Sequence, residues 1–175
     1  MNAPHQIPED HMAAGTAPAC AVFYGRTNAA GADAAMAVAR QFRQCQDAAG
    51  HAVISGVFYD AAGGVSAALT QMVRQLEPLA ARDGGWNDLA AEITRPGHPV
   101  TMIVCEAPDR IARRPAELRA RLDLPARHGV TLLFAAFPHE PVPAGGLDHL
   151  TAITSPSLAA IPHRAAGRSR RRPAR

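Results

Sequence analysis

Hydrophobic and polar positions follow two rhythms along this chain. Apolar blocks bounded by Pro or Gly recur at Ala21-Val22-Phe23-Tyr24, at His51 to Tyr59 (HAVISGVFY), at Val100 to Cys105 (VTMIVC) and at Val130 to Ala136 (VTLLFAA). Runs of that length, rich in β-branched residues and closed by turn formers, read as buried strands. Between them the spacing turns helical. Asn28 to Ala49 offers a face at Met36, Ala39, Phe42, Arg43 and Cys45, and Gly50 stops it. Val65 to Ala81 places Leu69, Met72, Val73, Leu76 and Leu79 together, with Pro78 set to end it early. Trp86 to Thr94 is a short helix after Arg82-Asp83-Gly84-Gly85. Pro115 opens another through Leu118, Leu122 and Leu124, broken near Pro125 and stopped by Gly129. Strands alternating with helices predict an α/β fold: a mostly parallel sheet of four or five strands with helices on both faces.

The pattern also sets boundaries. Residues 1–18 have no period and read as a disordered leader. Residues 19–136 form one α/β domain, and 137–175 a Pro-rich linker (Pro138, Pro141, Pro143, Gly145, Gly146) with a basic tail and one short helix within Leu147 to Leu158. Every one of the 18 basic residues is arginine, and six of them lie from Arg164 onward. The preceding chain carries 12 arginines against 15 acidic groups, so a mildly acidic body bears a strongly basic end. Cys20, Cys45 and Cys105 are far apart and apolar-flanked, which reads as reduced core thiols. The 8 histidines have no metal-ligand spacing with them, so neither a metal nor a cofactor is expected. No apolar run approaches the roughly 20 residues of a membrane span, and no signal pattern opens the chain. A cytoplasmic protein is expected.

Candidate chemistry gathers where strands end, because ligands of open α/β sheets meet the carboxyl ends of the strands. The first strand leaves as Gly25-Arg26-Thr27-Asn28. Residues two apart share a side, so Arg26 and Asn28 point together and Thr27 points away. Arg82 precedes the short third helix, and Asp109, Arg110 and Arg113 follow the third strand. Asp109 is spaced to pair with Arg113 or to cap the helix after it. Arginines converging on one sheet rim repel each other and suit no core. They suit a phosphate, whose oxygens accept paired hydrogen bonds from the planar guanidinium. The fitting partner is DNA. Arg168, Arg170, Arg171 and Arg172 in the tail are candidates for sequence-independent contact with its backbone.

The order of these pieces resembles the serine recombinase family, the resolvase and invertase group. The resemblance runs from about Ala19 to Ala136. It rests on Tyr24, Arg26 and residue 28 at the end of the first strand, on Gln41, Cys45, Gly50 and Asp60, on Arg82-Asp83-Gly84, on Asp109-Arg110-Ile111-Ala112-Arg113 and on Gly129 to Leu132. It implies a resolvase-like catalytic domain in which a serine attacks a DNA phosphate, arginines bind that phosphate and an aspartate positions them. It also implies subunits that assemble to exchange strands. Asn28 stands where the serine is expected, and an amide nitrogen, its lone pair delocalised, is a poor nucleophile. The helix-like segment between Gly64 and Arg82 is extra, and the long helix and DNA-reading domain of the family give way here to the linker and tail. The expected function is therefore DNA phosphate contact with the covalent step impaired. The alternatives are an active recombinase using Thr27 and a regulatory interaction module that pairs with a true recombinase; the expected partners are DNA and either further copies of the chain or a recombinase.

Overall fold

The computed structural model describes residues 20–137. The leader, the short helix expected after Leu147 and the arginines at 168, 170, 171 and 172 lie outside the described residues. Within them the elements run β1 (Cys20–Thr27), α1 (Gly31–Ala49), β2 (Val53–Ala61), α2 (Ala67–Leu76), α3 (Trp86–Thr94), β3 (Met102–Cys105), α4 (Pro108–Ile111), α5 (Pro115–Arg127) and β4 (Thr131–Phe134). The four strands form one all-parallel sheet in the order β2-β1-β3-β4. The fold is α/β, with helices on both faces, as expected.

Alternation along the strands divides the core in two. Ala21, Phe23, Val57, Tyr59, Val104 and Leu133 face α1 and α2, where Val38, Phe42, Cys45, Leu69 and Val73 are buried. Val22, Tyr24, Phe58, Ile103, Cys105 and Leu132 face the other way, onto Trp86, Leu89 and Ile93 of α3 and onto Leu118 and Leu122 of α5. Few aromatic rings anchor each half. Phe23 meets Phe42 edge-on at 5.3 Å on the first side, and Tyr24 meets Trp86 edge-on at 5.2 Å on the second.

Several boundaries differ from the sequence expectation for physical reasons. On α1 the buried stripe is Ala34, Ala35, Val38, Ala39, Gln41, Phe42 and Cys45, whereas Met36 is 54% exposed and Arg43 reaches out to Glu77. The α2 helix ends at Leu76, because Pro78 cannot continue it, so Leu79 is left 78% exposed. Pro125 does not break α5, which runs on to Arg127; placed in the final turn, the proline forfeits a single intrahelical bond. The four-residue α4 was too short to show a period.

Candidate functional site at the β1 exit

β1 is the strand at which the sheet order reverses. The chain passes from β1 to β2 on one side and later places β3 on the other. In open α/β sheets the crevice beyond the carboxyl ends of two such strands is the customary ligand position. Here it lies beyond Thr27 and Cys105, and the segment Arg26 to Asn28 and the α4 turn border it.

Arg26 leaves β1 directly opposite Asp60 of β2 and, by alternation from Tyr24, on the α3–α5 side of the sheet. Opposed charges in register are well placed to pair, yet no ion pair joins them among the described residues. The Asp60 carboxylate is engaged elsewhere. Its Oδ2 accepts from the Tyr24 hydroxyl at 3.0 Å and from the Trp86 N–H at 3.1 Å. The second bond depends on Gly85, since a Cβ there would lie 2.3 Å from Asp60 Oδ1. Asp88 completes the turn by accepting from the Gly85 N–H at 2.7 Å. Arg26 Nη1 is consequently buried and has no hydrogen-bond partner among the described residues. A buried guanidinium nitrogen without an acceptor is a costly arrangement that an incoming anion would relieve.

Asn28 sits just past the strand, exposed, and meets Arg113. Its amide complements the guanidinium only with the oxygen turned towards it, and that oxygen then accepts from Arg113 Nη1 and, at 2.6 Å, from Nη2. Thr27 points the other way. It is 7% exposed, and its Oγ1 accepts from the Ala29 N–H at 3.1 Å. The structure thus brings Arg26, Asn28 and Arg113 to the exit of β1.

The other expected residues have partners of their own. Arg110 forms ion pairs with Glu106 at 2.9 Å and Asp109 at 3.3 Å, and Arg40 on α1 approaches the same Glu106 at 3.8 Å. Asp109 therefore pairs with its neighbour Arg110 and not with Arg113, and a free Arg110 in a shared cluster is corrected by the presence of Glu106. Arg82 lies at the outer edge of β2. Its Nε and Nη2 donate to the Tyr59 carbonyl, each at 3.4 Å, and its guanidinium covers the Tyr59 ring at 5.4 Å.

Two contributors were not read as site residues from the sequence. Asp60 entered the family resemblance as the end of the second strand and not as a site residue. Arg121, on α5, stacks on Trp86 at 5.0 Å, donates to the Ile111 carbonyl at 2.9 Å and pairs with Glu117 at 2.9 Å. Its position in α5 fits any solvated helix face, so no sequence signal marked it. The Tyr24 phenol is pushed well above its usual range, chiefly by burial and then by the Asp60 carboxylate that it faces, so it serves as a fixed donor. Burial likewise pushes the Cys105 thiol up to about 12 and raises Cys45, which removes both as nucleophiles.

Two hollows open elsewhere. One of about 400 Å³ is bordered by Gln44, Asp47 and Glu106, and one of about 600 Å³ by Cys20, Ser55, Asp83, Asp88 and Arg95. Neither is lined by Arg26, Asn28 or Arg113. Among the described residues no group of three or more His, Cys, Asp or Glu side chains could hold a metal ion, and no helix is long and apolar enough to cross a membrane. Comparison with protein-family models gives no match, and no curated protein matches the chain.

Proposed function

We propose that this chain is a serine-recombinase-like domain that grips a DNA phosphate and does not form the covalent link. The observation that carries the reading is the buried Nη1 of Arg26, without a hydrogen-bond partner among the described residues, at the switch point of the sheet, with Arg113 on residue 28 at the same strand exit. Two guanidinium groups at one strand exit supply paired donors and positive charge for a phosphodiester. The motif order from Tyr24 to Leu132 supplies the family. An amide at residue 28 offers no hydroxyl to deprotonate, and the one adjacent hydroxyl, Thr27, is buried and already used in a turn. Nucleophilic catalysis needs an exposed oxygen with a base within reach, so the reading is of phosphate binding without attack.

Incubation with supercoiled plasmid tests this directly. The protein is expected to retard duplex DNA, to produce no nicks and to leave no protein on a DNA end. Arg26→Ala and Arg113→Ala are each expected to weaken binding by about tenfold. Each is also expected to lower the slope of log affinity against log salt by about 0.9, one phosphate contact apiece. A covalent adduct mapped to Thr27 would establish an active recombinase instead. Association with a true recombinase and no affinity for DNA would establish an interaction module.

A further inference from the structure

The end of β1 outruns one of its neighbours. Cys105, the last residue of β3, pairs with Tyr24, while β1 continues to Thr27. Backbone groups of successive residues in a strand turn to opposite neighbours. The Cys20 carbonyl accepts from Thr101 at 2.9 Å on the β3 side, and the Thr27 carbonyl accepts from Ala62 at 3.1 Å on the β2 side. By that alternation the N–H and C=O of Arg26 face the β3 side, at a level where β3 has already ended. Buried backbone groups of this kind need partners.

Gln41 supplies both. Its Oε1 accepts from the Arg26 N–H at 3.1 Å, and its Nε2 donates to the Arg26 carbonyl at 3.1 Å. The residue is 1% exposed and interrupts the apolar stripe of α1 between Val38, Phe42 and Cys45. Glycine at 25 makes the approach feasible, since a Cβ there would stand 3.1 Å from Gln41 Oε1 and 2.5 Å from the Phe23 ring.

We infer that Gln41 is a positioning residue, whose side-chain amide replaces the missing strand beside Arg26 and keeps that residue extended, with its side chain on the crevice-facing side of β1. A primary amide is the one neutral side chain that presents an acceptor and a donor in the spacing of a peptide group. Solvating the helix requires neither bond, and an apolar side chain would pack this stripe without the cost of burying an amide. The functional part of the inference rests on the reading of Arg26 as a phosphate contact.

Gln41→Met keeps length and apolar packing and removes both bonds. It is expected to lower the salt slope of duplex binding by about 0.9, as Arg26→Ala does, and the double variant to lower it no further. Loss of fold stability alone would not move that slope. Amide hydrogen exchange at Arg26 is expected to accelerate at least tenfold, with Val22 and Phe23 unchanged. Gln41→Glu, which keeps the acceptor alone, is expected to fall between and serves if Gln41→Met does not fold. A wild-type slope in Gln41→Met overturns the inference while leaving the proposed function intact. Absence of DNA binding by the wild-type protein overturns the proposed function, and the exchange rate at Arg26 then decides the clamp by itself: unchanged exchange refutes it, selective acceleration upholds it.

Discussion

Arg26 and Asp60 face each other from adjacent strands and nevertheless leave each other unpaired. The reason is competition: Tyr24 and the Trp86 amide both donate to the same Asp60 oxygen. Removing one donor should be felt. Tyr24→Phe is expected to cost about 1–3 kcal/mol of stability, because a partly buried carboxylate loses a charge-assisted bond, as denaturant midpoints would report. The same phenol predicts a pH dependence. Its folded-state pKa is raised above the unfolded value of about 10, so the native state holds the proton more tightly. That stability is complete below about pH 10 and is lost as pH rises beyond it. Absorbance titration in a Tyr59→Phe background should show Tyr24 ionising only as the protein unfolds; a Tyr24 phenolate forming there in the folded protein near pH 10 would contradict the Tyr24–Asp60 bond. The first-strand residues of the site were legible, since a period of two from Tyr24 places Arg26 on a known side. Arg110 was not, because the spacing offers Asp109 to Arg113 or to a helix cap and does not single out Glu106, four residues before Arg110, which ties it down.

Among the elements, the strands and α3 could be read from the chain to within two or three residues, and the faces of α1 and α2 only in part: Ala39, Phe42, Cys45, Leu69 and Val73 are buried as expected, whereas Met36, Arg43, Leu76 and Leu79 are not. Alanine is the cause on α1. In GADAAMAVARQFRQCQDAA so many positions are small and apolar that two registers of the stripe fit almost equally, and Met36 was drawn to the wrong one. The structure decides between them through volume: Phe42 fills the space against Phe23, and no residue larger than valine is needed at 34, 35, 38 or 39. Phe42→Ala is accordingly expected to destabilise by about 3–5 kcal/mol, whereas Met36→Ala should stay within about 0.5 kcal/mol. Equal effects in thermal or urea unfolding would put the stripe back at Met36. On α2 the apolar spacing continues beyond the helix, so Leu76 and Leu79 looked buried; Leu76, in the last turn, is 44% exposed, and Pro78 ends the helix before Leu79 can continue its face.

For the molecule as a whole, the four parallel strands send every carboxyl end to one pole, and central β1 delivers Arg26 and Asn28 there, where Arg113 meets Asn28. That order carries a kinetic cost. Ladders between parallel strands cannot be closed by a tight turn, and the partner of β1 on its second side arrives late: Cys20 bonds Thr101 across a separation of 81 residues. Chains dominated by such distant contacts fold slowly. A nascent polypeptide released only as far as Gly97 would expose one whole side of its middle strand, a template for stray pairing until the remainder emerges. A fragment of residues 20–97 is therefore expected to aggregate or stay unstructured by circular dichroism, and to regain order on adding residues 98–137 in trans; a cooperatively folded fragment would show that the first two strands suffice as a nucleus.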